Sequence, residues 1–457
     1  MNKKIIYLLS LLMALSLMFA GCKKGLAAPT GGPEKDQEVK PPTNLGGNGL
    51  FDNQTKLDEY KEKPIQRSTE VAKYENENYM RNPVITVVGG TNVVVFYEIR
   101  YKTSGANNDV ALTGENAVSI AYVQSGNSGI SFSTSLGDVK YVGGKPSSGA
   151  VDAHGAPIVF YDKQNSKIVV VASAGIGLSS GVYNKEADKV SKLQYSVASI
   201  GTDNNVGEFG AWQNMSDPGD LAKNGYTQFG THSARGTVTE SGTLLLPVTL
   251  ANYQEKTSKF GYVLYTGTVD SSSGNVTWQQ SGNVVSMPND GDKVVKETRI
   301  PKGASDSDYV YLAVSSDIGK ISQGKGAQNS SVTTIVGSDG SAGTLVVPQW
   351  YGAESYNPAN YKGASGKQPQ SILSHVLATE QNLAIRLVDD DFANQKSGNF
   401  ALGGAYTGNS KSSSMDILDD GTIVMIAEGG KVTEAATRPF FIYFSRFSQA
   451  YIANQTK

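Results

Sequence analysis

Ser125-Gly126-Asn127-Ser128-Gly129-Ile130-Ser131-Phe132 follows the apolar run Ala117–Val123, and this strand-then-turn unit carries the reading of the fold. Asn127, at the third place, can bond backbone groups of the turn. Gly129 at the fifth place supplies a positive φ, and Phe132 packs beneath. A weaker version is Ser271-Ser272-Ser273-Gly274-Asn275-Val276-Thr277-Trp278, in which Ser273 replaces an acid and Asn275 the glycine. A third, with an enlarged loop, begins at Thr202-Asp203 and ends at Trp212. Outward from these turns, short β-branched and aromatic runs alternate with Gly, Ser, Asn and Asp. They are Val84–Val88, Val93–Ile99, Ile158–Tyr161, Ile168–Ala172, Leu244–Leu250, Tyr262–Tyr265, Tyr309–Val314, Leu345–Val347, Ala384–Val388, Ile423–Ala427 and Phe440–Phe444. The spacing of roughly 10 to 20 residues fits antiparallel sheets better than alternating strands and helices. Strand pattern alone leaves a propeller and a large β-sandwich open; the recurring turn indicates internal repetition and favours the propeller.

The N-terminus has a different character. Lys3 and Lys4 precede an apolar run from Ile5 to Phe19, too short to span a bilayer with margin. Ala20 and Gly21 then lead to Cys22, the chain's one cysteine. This resembles a bacterial lipobox in relaxed form, with Phe19 three places before the cysteine, and it implies cleavage before Cys22 and acylation of its thiol. No disulfide can form within the chain. Residues from Gly25 to Gly49, with Pro29, Pro33, Pro41 and Pro42, form an extended tether that buries no core. Leu57–Glu70 is expected as a short helix or an irregular cap, which puts a signal at 1–21, the lipidated linker at 22–70 and the folded domain at 71–457. The expected location is a secreted, membrane-anchored lipoprotein, at the cell surface or facing the periplasm. With 40 Lys+Arg against 42 Asp+Glu, formal net charge is −2, so nucleic acid is not an expected partner, and the membrane is met through the anchor alone. The 51 glycines and 23 tyrosines suit short strands joined by tight turns.

The turn units resemble Asp-boxes, and other segments are collinear with one family. Tyr79-Met80-Arg81-Asn82-Pro83 is similar to an Arg-Ile-Pro start, and Val93–Tyr97-Glu98-Ile99-Arg100 to the strand that ends in an arginine. Val151-Asp152 through Tyr161, and Ser233-Ala234-Arg235-Gly236 through Val248, resemble the second and third blades. Asp420-Gly421 through Glu428 resembles the late "DG…YE" segment, and Phe444-Ser445-Arg446-Phe447 the closing strand. From about residue 79 to 451 the chain resembles the sialidase (neuraminidase) family of Asp-box proteins. That implies an all-β, six-bladed β-propeller.

Sialic acids carry a carboxylate on the anomeric carbon, for which bidentate arginine is the suited partner. The same carboxylate repels an Asp or Glu nucleophile, and the resemblance implies a tyrosine in that role. A glutamate draws off its proton, and an aspartate serves as general acid and then base. Carried onto this chain, Arg81 corresponds to the first arginine of the carboxylate-binding triad and Arg100 to an additional strand-end arginine. Asp109, in the loop with Gly105, Asn107 and Asn108, is the expected acid/base, and Glu297 the expected activating glutamate. The second triad arginine should follow Tyr309–Val314, where Ser315 and Ser316 stand; Arg299 lies near Glu297 but at another place on the blade. The third should precede Leu383–Leu387, where Glu380 stands; Arg386 lies inside that strand. Tyr406, in Gly404-Ala405-Tyr406-Thr407, is the expected nucleophile, while an ungapped count back from Asp420-Gly421 falls on Ser412.

His154, His232 and His375 share no metal-ligand spacing, and the glycine-rich stretches lack a P-loop's lysine and following helix. Trp350-Tyr351 could stack on a sugar or pack in the core. The resemblance implies a retaining exo-α-sialidase that releases terminal sialic acid from sialylated glycoconjugates and requires no cofactor. The alternative is a catalytically degraded propeller that binds glycans as a surface lipoprotein.

Overall fold

A computed structural model of the chain describes residues 59–72, 79–101, 118–132, 139–144, 153–175, 177, 191–215, 226, 228–252, 259–287, 294–299, 310–314, 318–322, 331–336, 344–346, 369–378, 381–389, 400–407, 410, 412–430 and 441–456. From 294 to 346 the backbone alone is described.

Strand β1 (Gln66–Ala72) belongs to the last sheet. The first sheet holds β2 (Tyr79–Val88), β3 (Asn92–Arg100), β4 (Val118–Ser125) and β5 (Lys140–Tyr141) in chain order. The second holds β6 (His154–Asp162), β7 (Lys167–Gly175), β8 (Ser191–Ser199) and β9 (Gln213–Asn214). In the third, β10 (Gln228–Gly230) pairs β13 (Leu244–Asn252), followed by β14 (Lys259–Val269) and β15 (Val276–Met287). Between β10 and β13 the chain crosses to the second sheet, where β11 (Ala234–Arg235) lies parallel to β6, and returns as β12 (Thr237–Val238) on β13. The fourth sheet is β16 (Val294–Arg299), β17 (Val310–Val314), β18 (Ile318–Ser322) and β19 (Ser331–Val336). The fifth is β20 (Thr344–Val346), β21 (Pro369–Ala378), β22 (Gln381–Asp389) and β23 (Phe400–Ala401). The sixth is β24 (Ser413–Ile417), β25 (Ile423–Gly429) and β26 (Phe441–Phe447), completed by β1 on β26. A C-terminal helix, α1 (Gln449–Gln455), follows with Ser448 as its N-cap.

Leading strands of successive sheets touch: β2 meets β6, β13 meets β16, β16 meets β20, β20 meets β24, and β24 meets β2. The core therefore lies in the seams between sheets. One cluster joins the sixth and first sheets through Val424, Phe444, Val95 and Tyr97; a second joins the first and second through Val94, Phe96, Val159 and Val170. Others join the second to the third and the fifth to the sixth. Because both faces are covered, β3 and β13 are buried at every position, which is why these strands read as unbroken apolar runs rather than alternating ones.

In each of the twelve expected runs, the described residues lie on a strand. Of the expected helix or irregular cap at 57–70, residues 60–65 are irregular turns and bends, and 66–70 are corrected: β1 begins at Gln66. It is an edge strand with few buried positions, so its sequence carries no apolar run. The turn chemistry of 125–132 is as expected. Ser131 N donates to Asn127 Oδ1 at 3.2 Å, Gly129 has φ +81°, and Phe132 meets Phe444 edge-on at 5.1 Å. A Cβ at Gly129 would strike the Phe444 ring. In the weaker turn the acid is Asp270, one residue earlier than the unit quoted. Its Oδ1 accepts from Ser272 N at 2.8 Å and Ser273 N at 3.2 Å, and Gly274 rather than Asn275 supplies the positive φ.

Candidate functional site

The first arginine of the expected triad sits at a bulge. Pairing of β2 with β3 shifts between Arg81 and Val84, and Asn82 takes φ +52°. Arg81 Nε donates to Glu428 Oε1 at 2.8 Å, and Asn82 N donates to the same oxygen at 2.8 Å. Glu428, near the end of β25, is fully buried, and its Oε2 accepts from Ser412 N at 3.0 Å. Arg81 keeps 12% of its side-chain surface in solvent. A buried carboxylate needs such donors to offset lost hydration, and a charge-assisted pair supplies them.

A second acid–arginine pair lies one seam along. Glu98, also fully buried, accepts from Arg100 Nε at 2.7 Å on Oε2, and on Oε1 from Asn82 Nδ2 at 3.0 Å and Ala156 N at 2.6 Å. Ala156, like Asn82, is a bulge residue with a positive φ, 51°. Near its end, then, a sheet's second strand offers an acceptor to the bulged backbone of the next sheet. Ser173 on β7 does the same with its hydroxyl, taking Thr231 N at 2.7 Å, and Ser374 on β21 shares a 2.6 Å hydrogen bond with Ser413 on β24. Repetition inferred from turns thus recurs at the opposite end of the sheets, in cross-sheet hydrogen bonds from residues of varying charge.

The expected site residues divide. Arg81 and Arg100 come to one end of the first sheet, Arg100 buried at 7% exposure. Glu297 and Arg299 lie on β16, opposite Leu312 and Val310; their side chains fall outside the described residues. Asp109, Cys22, Ser315, Ser316 and Glu380 also fall outside them. Arg386 sits on β22, the third strand of its sheet and two removed from β20, and is 6% exposed. Tyr406 lies between β23 and β24. It closes a short 3-10 turn, is fully buried in the seam between the fifth and sixth sheets, and shares a 2.7 Å hydrogen bond with Ser445 Oγ on β26. Burial pushes its phenol further from ionisation, the reverse of what a nucleophile needs. The residue beside Glu428 is Ser412, and 408–414 contains no tyrosine.

Glu98, Glu428, Asp416 and Arg235 had no assigned role. The signal was present: each acid interrupts, or closely follows, an apolar run on a strand, and buried acids require partners. Arg235, on β11, pairs with Asp416 on β24, whose Oδ2 accepts from Val87 N at 2.7 Å, so one ion pair ties the second sheet to the sixth and first. His154 stacks on Trp212 at 4.2 Å and is hydrogen-bonded to Gln194 at 2.6 Å, a satisfied packing histidine.

No protein-family model matches the chain, and no curated protein matches it by sequence. Solved structures do. A leech intramolecular trans-sialidase complexed with 2,7-anhydro-Neu5Ac superposes with a TM-score of 0.58 at 12% identity, over 85% of this chain and 71% of that one. The Hadza microbial sialidase Hz136 gives 0.54 at 13%, over 82% of this chain and 66% of its own. Trypanosoma rangeli sialidase in complex with sialic acid gives 0.55 at 13%, over 84% of this chain and 58% of its own. Against the latter two, this chain spans less than two thirds of the other's length. Identities this low speak to architecture, and with the sheet order above they establish that the chain has the sialidase-like β-propeller fold.

Proposed function

We propose that the chain is a surface lipoprotein that binds the carboxylate of a terminal sialic acid through Arg81 and no longer hydrolyses it through Tyr406. The observation that carries this reading is the pair of positions around Glu428: Arg81 is held at the solvent edge, and Ser412 stands beside it while the Tyr406 hydroxyl is inside the core. A single arginine offers about 1.5–3 kcal/mol of charge-assisted hydrogen bonding. Monovalent affinity from that contact alone is therefore expected at roughly 5–80 mM, with useful avidity from many copies on a membrane. A second reading, the retaining exo-sialidase, draws support from the Arg81–Glu428 pair and from Glu297 on the leading strand of the fourth sheet.

One experiment separates them: fluorophore release from a methylumbelliferyl sialoside, alongside sialyllactose binding, by the wild type, Arg81→Ala and Tyr406→Phe. Binding without turnover, lost in Arg81→Ala and kept in Tyr406→Phe, is the expected result. Turnover abolished in Tyr406→Phe would overturn it in favour of the hydrolase. Tyr406→Phe should also lower stability by about 1 kcal/mol, the value of one buried hydrogen bond.

A further inference from the structure

Asn82 stands where the resembling family has an isoleucine, and it touches both acid–arginine pairs. Its backbone N–H goes to Glu428 Oε1, the oxygen that takes Arg81 Nε. Its side-chain Nδ2 goes to Glu98 Oε1, on the carboxylate that takes Arg100 Nε through Oε2. A carboxylate only accepts, so the amide nitrogen, not its oxygen, must face Glu98. At φ +52°, asparagine is among the few side chains that tolerate the left-handed region; a β-branched isoleucine there is a true outlier and has nothing to donate. The sequence at this position departs from the resembling motif, and the product is a continuous path Arg81–Glu428–Asn82–Glu98–Arg100 between the first and sixth sheets.

We propose that Asn82 is a positioning residue that couples the two arginines, so that displacement of one guanidinium, by a bound carboxylate or by mutation, is felt at the other. The ligand side of this rests on the reading of Arg81 given above; the coupling itself does not. When a ligand carboxylate draws on Arg81, Glu428 must rebalance its donors. The Asn82 amide is the neighbour through which that change reaches Glu98. In a low-dielectric seam such chains of hydrogen bonds polarise one another.

The test uses the full chain with 15N-labelled arginine, following the Nε–H resonances of Arg81 and Arg100 and their exchange with solvent. Asn82→Gly retains the left-handed backbone and the N–H to Glu428 while removing the link to Glu98, so its melting temperature should fall by no more than the loss of that one hydrogen bond explains. Glu98→Gln should speed exchange of the Arg81 Nε–H several-fold in the wild-type background and leave it unchanged when added to Asn82→Gly. Equal acceleration in both backgrounds, or none in either, overturns the coupling. If Glu98→Gln does not fold, Asn82→Gly alone decides: both Nε–H groups must exchange faster than in wild type, and unaltered rates overturn the proposal. Titration with sialyllactose is then read separately. A shift at Arg100 in the wild type that vanishes in Asn82→Gly completes the proposal. No shift at Arg81 in any background removes the ligand reading and leaves the exchange result to decide the coupling.

Discussion

The seam between the sixth and first sheets holds an arginine near each end, and the two are treated in opposite ways. At one end Arg81 donates to the buried Glu428, which also takes two backbone N–H groups. At the other, Arg446 lies opposite Val424, four residues and roughly 13 Å along β25 from Glu428. It shares the seam-facing side of β26 with Phe444 and is fully buried. Its Nε, Nη1 and Nη2 have no hydrogen-bond partner among the described residues. Burial presses its pKa down, and Asp420 and Tyr60 oppose this only through space. The carboxylates differ in the same sense. Glu98 and Glu428 are buried and reach into the next sheet, whereas Asp203 and Asp270 are exposed and bond only their own turns. At the Arg81 end charge holds sheets together; at the other, apart from the Arg235–Asp416 pair that ties three sheets, it shapes individual hairpins.

The hardest test of that contrast is to delete an acid. Glu428→Ala leaves Arg81 without its counter-charge and two N–H groups without an acceptor, and should cost about 3–5 kcal/mol in denaturant unfolding. A loss below about 1 kcal/mol, the range of exposed ion pairs, would mean the pair is solvated and holds nothing.

Arg446 should respond in the other direction. Replacing an uncompensated buried cation with an apolar side chain of similar length removes a desolvation cost, so Arg446→Met should raise stability by on the order of 2 kcal/mol. A fall instead would show that the guanidinium is paired in solution, by Asp420 drawn inward or by a bound anion. The two ends of the seam would then be alike.

Much of the fold was legible because seams between sheets leave a strong trace: strands buried on both faces are unbroken apolar runs, and Asn127 with Gly129 declares a turn within eight residues. Edge strand β1 was not legible, since a strand with one neighbour needs few apolar residues. Arg81 stands out within its own strand, but its partner does not. Glu428 is 347 positions from Arg81, and nothing local to either residue announces the other. Tyr406 shows the same: Gly404-Ala405-Tyr406 matches the resembling motif locally, but Ser445, which holds its hydroxyl in the core, lies 39 residues on. Asn82 was visible as a departure from the resembling motif, yet only the backbone angle and the second glutamate give that departure a meaning.

The smallest effect concerns the turn end, where carboxylates act locally. Asp270 is held down to about 2 by hydrogen bonds first from the Ser272 side chain, then from the Ser272 and Ser273 backbone. A carboxyl depressed in the folded chain contributes stability above its unfolded pKa, about 3.9, and loses it as pH falls through the folded value. The wild type should therefore exceed Asp270→Asn by a small margin in melting temperature at neutral pH. The margin should shrink from about pH 4 downward and close near pH 2. Because the group is exposed, the margin should also be small beside that of Glu428→Ala. A difference that persists unchanged at pH 2 would show that the asparagine alters the turn's shape rather than its charge. A difference as large as that of a buried glutamate would abolish the division of labour between the two ends.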